Sequence, residues 1–280
     1  MVCAKRKGLS LIKLIASDMD GTLLDENSKV PPETYDLILE LRDHGVYFAV
    51  SSGRRFDTLQ EFFSPVVDKM DFVASNGTQV YVDGVMVDRE VFSHAAVKRL
   101  EHTVRLFGCL HLVLYDRTRS FLYDDTDKYE REIDKDLPNA ERVYEVPGPN
   151  INIIKASIFC DNESYLMDMA YALGRELGSD FVFAPSGKKW IDPLPIGVNK
   201  ATGIKQVMAA RGINADEVMA FGDSMNDYEI LRLVGNSRAM GNARYGIKQI
   251  AKQTIGTNVE HSVQKEMRAM LRSFKNQQAS

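Results

Sequence analysis

Short apolar runs recur along this chain, each ending in small and polar residues, and several are separated by segments with a helical period. The first, Leu11-Ile12-Lys13-Leu14-Ile15-Ala16, predicts a core strand that delivers the chain into Asp18-Met19-Asp20-Gly21-Thr22-Leu23. Pro31-Pro32 then precede a segment with Leu37, Ile38 and Leu41 on one face and Gly45 beyond its end, the asymmetry expected of a helix. Val46 to Val50 reads as a strand buried on both faces and runs into Ser51-Ser52-Gly53-Arg54. Phe72-Val73-Ala74 leads to Ser75-Asn76-Gly77, and Asp83-Gly84 between two short apolar runs predicts a hairpin turn. After Trp190 the same rhythm returns. A helix from Lys200 carries Ile204, Val207 and Met208 and stops at Gly212, and Val218 to Phe221 forms another buried strand.

Between about Phe92 and Trp190 the texture differs. Strands look alternating, as in Phe121-Leu122-Tyr123, charges crowd into residues 124–132, and Pro147-Gly148-Pro149 interrupts the chain. This stretch reads as an inserted α+β module containing a strand from Ile151 to Cys160, a helix from Leu166 to Leu177 and a strand at Phe181 to Phe183, with the charge run as a solvated face. The C-terminal Lys275 to Ser280 is expected to fray.

The polar groups at the strand ends carry the chemistry. In an open α/β sheet, ligands bind beyond the carboxyl ends of the strands, where strand order reverses. Asp18 and Asp20 stand two apart at such an end, so they face one small volume if the strand continues and diverge if the Gly21 turn begins early. Like charges so close raise at least one carboxyl pKa unless a cation intervenes. The plain alternative is an Asp-Gly turn, which is how Asp83-Gly84 reads. Phe221 runs into Gly222-Asp223-Ser224-Met225-Asn226-Asp227, and four acids gathered in one crevice call for a divalent cation, with an all-oxygen ligand set pointing to Mg²⁺. Asp227 reads equally as a helix cap or as a support for that site. Lys200 sits in the first turn of a helix, where a cation opposes the macrodipole, so a phosphate or carboxylate cluster is expected to hold it there. Ser52, with Gly53 after it, offers a hydroxyl and backbone N–H groups to an oxyanion.

Composition narrows the alternatives. The 280 residues suffice for one large or two smaller domains, and 44% hydrophobic with 26% charged residues is ordinary for a globular protein. A net charge of −4 argues against nucleic-acid binding driven by bulk electrostatics. No apolar stretch reaches membrane-spanning length, and the run after Lys5-Arg6-Lys7 lacks a signal-peptide cleavage site. Cys3, Cys109 and Cys160 show no metal-ligand spacing and read as free thiols in a reducing compartment, the cytoplasm.

Taken in order, Asp18 to Thr22 (DxDGT), Ser52-Gly53-Arg54, Asn76-Gly77-Thr78, Lys200, Gly222 to Asp227 (GDxxND) and Asn242-Ala243 resemble the motifs of the haloacid dehalogenase superfamily, specifically the Cof-type phosphatases with a C2B cap. The likeness covers nearly the whole chain. It implies a Rossmann-like, doubly wound parallel sheet as core, formed by residues 1–91 and 191–280, with residues 92–190 as an α+β cap that closes as a lid and sets specificity. It further implies an Mg²⁺-dependent phosphatase acting on small phosphorylated metabolites. In that reading Asp18 is the nucleophile and Asp20 the general acid and base. Mg²⁺ is held by Asp18, the Asp20 backbone carbonyl and Asp223. Ser52, Gly53 and Lys200 bind the phosphoryl group, while Asn226 contacts phosphate and Thr22 and Asp227 support the site. Asn76 is the expected substrate-side contact, with Lys188 and Trp190 as weaker candidates. A phosphomutase and a non-catalytic sugar-phosphate sensor are the rivals, and a sensor is expected to have lost Asp18 or Asp20. The chain departs from the family pattern at Glu260-His261-Ser262-Val263 and in its N-terminal extension. Neither the substrate nor the oligomeric state is legible in the sequence.

Overall fold

A computed structural model describes residues 12–123, 133 and 140–278. Cys3, the Lys5-Arg6-Lys7 cluster and the charge run at 124–132 lie outside the described residues.

Leu14 to Ser17 form strand β1, and all four are buried, as a continuous apolar run requires when both faces of a strand are covered. Its parallel neighbours are β2 (Tyr47–Ser51) and β12 (Val218–Gly222), in the registers Ala16 to Ala49 and Ala16 to Ala220. β3 (Asp71–Ala74) extends the sheet on one side, while β13 (Asn236–Ala239) and β14 (Gln253–Thr254) extend it on the other. The antiparallel β4 (Gln79–Val82) and its hairpin partner β5 (Val85–Arg89) complete an eight-stranded order β14-β13-β12-β1-β2-β3-β4-β5. Strand order therefore reverses between β1 and β12, which places the topological switch point at the carboxyl end of β1. The hairpin turn expected at Asp83-Gly84 is present, with positive φ at both residues.

Helices flank this sheet, among them the two that the sequence period predicted after Pro31-Pro32 and from Lys200. α1 (Glu33–Asp43) buries Leu37, Ile38 and Leu41. α2 (Phe56–Phe62) follows β2. α5 (Lys200–Arg211) starts at an Asn199 capping box and ends at Gly212, whose φ of 64° gives a left-handed C-cap. α6 (Tyr228–Leu233) and α7 (Tyr245–Ile250) are short. The long α8 (Ser262–Gln278) reaches past the expected frayed point. Phe274 stacks on His44 with ring centroids 5.1 Å apart, and Lys275 pairs with Glu40 at 2.7 Å, which ties the last turns of the helix to α1 and its end.

The chain divides into two compact units. One runs to Asp88 and resumes at Asn199, and the other is Arg89–Val198. The second unit is built on a sheet of order β10-β11-β9-β6-β7-β8, and it extends past Trp190 because β11 (Trp190–Pro195) pairs with both β10 (Phe181–Ser186) and β9 (Lys155–Cys160). β6 (Leu110–Tyr115), β7 (Ser120–Tyr123) and β8 (Glu141–Arg142) complete it. Leu112, Leu114, Ala156, Ile158 and Ile191 pack with Val97 and Leu100 of α3 (His94–Arg105) and Leu173 of α4 (Leu166–Leu177). The strand expected from Ile151 begins only at Lys155, because the preceding backbone is drawn elsewhere: the Ile153 carbonyl accepts from Phe92 N–H at 2.8 Å.

At the opposite end of the β2 and β3 strands from the switch point, a charged network holds the first unit together. Asp71 is fully buried, and Arg211 donates to both its oxygens at 2.6 and 3.2 Å and to Asp83 at 2.7 Å. The guanidinium also lies 3.9 Å from the centroid of the Tyr47 ring. Arg211→Ala should lower stability by about 3–5 kcal/mol, because it leaves a buried carboxylate without its partner. Urea denaturation checks this, and Asp71→Asn in the same chain should recover part of the loss. An unchanged midpoint in the single variant would show the network to be dispensable.

Candidate active site

β1 delivers Asp18 in extended conformation, and the ladder continues through it: Asp18 N–H donates to the Phe221 carbonyl at 3.1 Å. The chain then turns at once over Met19–Leu23. Asp18 and Asp20 consequently diverge. Asp18 is buried, whereas the Asp20 side chain is 55% exposed. The turn pivots on Gly21, whose φ is +75° and whose position is closed to any side chain, since a Cβ there would lie 2.7 Å from Asp223 Oδ2.

Lys200 is drawn into the fold by its helix start and sits 1% exposed between two carboxylates. Its Nζ donates to Asp18 Oδ1 at 2.7 Å and to Asp227 Oδ1 at 2.6 Å. Burial disfavours the ammonium, but Asp18 and Asp227 outweigh it and hold its pKa above the usual lysine range. Asp227 is neither a plain N-cap nor a remote support. Its Oδ2 accepts from the N–H groups of Asp223 (3.0 Å) and Ser224 (3.1 Å), closing a capping box with Ser224, while Oδ1 faces Lys200. Asp223 in turn accepts from Thr22 Oγ1 at 2.9 Å.

Asp18, Asp223 and Asp227 bring carboxylate oxygens within 4.8 Å of one another, the one group among the described residues suited to a metal ion. Their charge is only partly matched. Burial first, and Asp227 second, push Asp18 to about 8 against the opposing pull of Lys200, and burial pushes Asp223 to about 6. A buried, oxygen-only cluster short of positive charge fits a hard divalent cation. Both oxygens of Asp227 already accept hydrogen bonds, whereas Asp18 and Asp223 each accept through Oδ1. The Asp20 carboxylate lies outside this cluster, so three of the four acids expected in one crevice meet there and the fourth, more than half exposed, does not.

The other expected residues gather on neighbouring loops of the same unit. Ser52 is buried after β2. It accepts at Oγ from Arg54 N–H at 3.2 Å, and its carbonyl receives Asn76 N–H at 2.9 Å. Ser75 and Asn76 both have positive φ, a cost borne at the end of β3, and Asn76 Oδ1 accepts from Asn226 Nδ2 at 3.3 Å. Asn76 packs against Gly53, where a Cβ would come within 3.1 Å of its amide nitrogen. Asn226 Oδ1 is buried and unpartnered, a polar atom with capacity left for a ligand. Lys188 and Trp190 belong to the second unit, where Trp190 packs edge-on against Phe159.

Two features were not legible in the sequence. Asn242 Nδ2 donates to Gly21 O (2.7 Å), Asn258 Nδ2 to Leu24 O (2.9 Å) and Gln264 Nε2 to Leu23 O (3.3 Å), so three amides far along the chain clamp the turn after β1. Asn242-Ala243 was visible as a motif, but nothing in the spacing marked Asn258 or Gln264. Arg54 grips Asp20 with both forks, Nε to Oδ2 at 2.9 Å and a terminal nitrogen to Oδ1 at 2.7 Å.

A family-wide profile for haloacid dehalogenase-like hydrolases matches residues 15–267. The chain is 31% identical over 266 residues to a 5-amino-6-(5-phospho-D-ribitylamino)uracil phosphatase of Escherichia coli, covering 90% of this chain and 93% of that one. A Bacillus subtilis phosphatase of the same description is 26% identical over 258 residues, covering 92% and 95%. Among solved structures, SMU.1108c from Streptococcus mutans shares the fold with a TM-score of 0.81 at 23% identity, covering 96% of this chain and all of that one. With its acidic switch-point cluster and this match along nearly its full length, the chain belongs to the haloacid dehalogenase-like hydrolases and is a phosphoric monoester hydrolase.

Proposed function

We propose that the protein is an Mg²⁺-dependent phosphatase that cleaves phosphate esters of small metabolites through an aspartyl-phosphate on Asp18. The observation that carries this reading is the buried Lys200 held between Asp18 and Asp227 beside Asp223, which sets a fixed cation against a nucleophilic carboxylate at the switch point. Asp18 attacks phosphorus in line and its Oδ–P bond forms as the ester P–O bond breaks. Asp20, on the open side of the turn, gives its proton to the departing alkoxide. Water then attacks the phosphorus of the aspartyl-phosphate and passes a proton to Asp20, which releases inorganic phosphate and regenerates Asp18. Ser52, the backbone around Gly53, and Lys200 hold the non-bridging oxygens. Asn226 and Asn76 supply further polar contacts, and Thr22 and Asp227 orient Asp223 and Lys200. Mg²⁺ bound by Asp18, the Asp20 carbonyl and Asp223 would neutralise phosphoryl charge and keep Asp18 ionised.

The two relatives named for 5-amino-6-(5-phospho-D-ribitylamino)uracil put that compound first among substrates to test. Its phosphate sits on a ribityl alcohol, a poor leaving group that demands a proton donor. We place the protein in the cytoplasm, where its few cysteines would stay reduced. The decisive experiment is a screen of the purified protein with Mg²⁺ against phosphorylated metabolites, with product analysis to separate hydrolysis from transfer to a second hydroxyl. Failure to release phosphate from any of them would defeat the reading.

Asp18→Asn should abolish turnover and leave the circular dichroism spectrum and melting midpoint near those of the parent, because the amide keeps the shape and loses the nucleophile. Phosphate release at the parent rate would sink the mechanism. Asp223→Ala should weaken binding of Mg²⁺ alone, followed by calorimetry, by roughly tenfold or more, since too few oxygens remain to complete an octahedral shell. Unaltered Mg²⁺ affinity in this variant, or full activity after exhaustive chelation, would overturn the metal assignment.

A further inference from the structure

The Asp20–Arg54 pair is a two-pronged ion pair on the surface of the first unit. It joins residues 34 apart, on the loops that follow β1 and β2, in a two-pronged geometry that fixes the plane of the carboxylate as well as its position. Arg54 is itself fixed at three points. Its N–H donates to Ser52 Oγ, its carbonyl accepts from Ser75 N–H at 2.8 Å, and its guanidinium lies 5.1 Å from the centroid of the Phe62 ring on α2. The pair is one-third exposed on the arginine side and just over half on the aspartate side, so its net contribution to folding is small. A rigidly held arginine that adds little stability and grips both oxygens of one carboxylate acts on where that carboxylate stands.

Without such a partner, Asp20 has another place to go. It is two residues from Asp18, and its neighbour Gly21 packs directly against the Asp223 carboxylate. The same turn is locked on its inner side by Gly21 against Asp223 and by the amides of Asn242, Asn258 and Gln264, leaving Asp20 as its exposed residue.

We infer that Arg54 is a positioning residue that holds the Asp20 carboxylate out of the acidic cluster and on the side from which the alcohol leaves. The inference rests on the reading of Asp20 as proton donor. It also assigns the arginine of the Ser52-Gly53-Arg54 loop to the leaving group, while Ser52 serves the phosphoryl group, so that one short loop aligns both ends of the bond that breaks.

The test compares kcat and KM for an alkyl ester, ribitol 5-phosphate, with those for p-nitrophenyl phosphate, whose leaving group needs no proton. Asp20→Asn should lower kcat on the alkyl ester by about 10²–10⁴ and much less on the aryl ester, which calibrates the assay. Arg54→Ala should reproduce that pattern, with a loss of about tenfold or more on the alkyl ester and within about threefold on the aryl ester, at an unchanged melting midpoint. Arg54→Lys, which keeps the charge but not the fork, should fall between, and it carries the test if the alanine variant folds poorly. Combining Arg54→Ala with Asp20→Asn should cost no more than Asp20→Asn alone, within about twofold. Equal losses on the two esters, a change confined to KM, or losses that multiply in the double variant would overturn the inference and place Arg54 on the phosphate or in the loop scaffold. If the parent enzyme cleaves neither ester, or Asp20→Asn shows no leaving-group dependence, the reading of the site fails first and takes this one with it.

Discussion

The site depends on one buried ammonium. Lys200 is almost fully enclosed, and neither it nor its two carboxylate partners could stay charged there alone. Together they form a triad in which two carboxylates hold the lysine above its usual pKa range while the lysine opposes the rise in Asp18. The contact joins the end of β1, the start of α5 and the turn after β12, three segments distant in sequence. A lysine in the first turn of α5 opposes the helix dipole by about 0.3–1 kcal/mol. Its two short ion pairs supply the compensation, and the Asn199 capping box satisfies the helix start that the lysine cannot.

Around this centre the fold divides rigid parts from adjustable ones. The turn over Met19–Leu23 is fixed from behind by three side-chain amides and from within by Gly21 against Asp223. Asp227 uses one oxygen to shape the Asp223–Ser224 backbone and the other to meet Lys200, so the same residue sets a loop and a charge. Phosphoryl transfer asks mainly for positioning and neutralisation, and a misplacement of about 1 Å can cost about 10² in rate. Asn258 and Gln264, polar residues with no proposed chemistry of their own, supply such positioning by binding the carbonyls of Leu24 and Leu23.

Much of this was already present in the residue pattern. The apolar runs located β1, β2, β3 and β12, the period located α1, α4 and α5, and Gly45 and Gly212 marked helix ends correctly, because burial on one face or both leaves a local signature. Asp18, Asp20, Asp223 and Asp227 were identifiable as a group of acids, and Lys200 as a lysine needing a counter-charge, because strand ends and helix starts are local features and charge there is unusual. Their partnership was not. That Lys200 lies between Asp18 and Asp227, that Asp227 divides its oxygens between Lys200 and the Asp223–Ser224 backbone, and that Cys109 meets Cys160 are consequences of strand order and register, which no local window contains. The parting of Asp18 from Asp20 was left open in the sequence, because two residues at a strand end share a face only if the strand continues. Backbone hydrogen bonding carries β1 as far as Asp18, and the turn at Gly21, held by contacts from more than 200 residues away, sends Asp20 outward to Arg54.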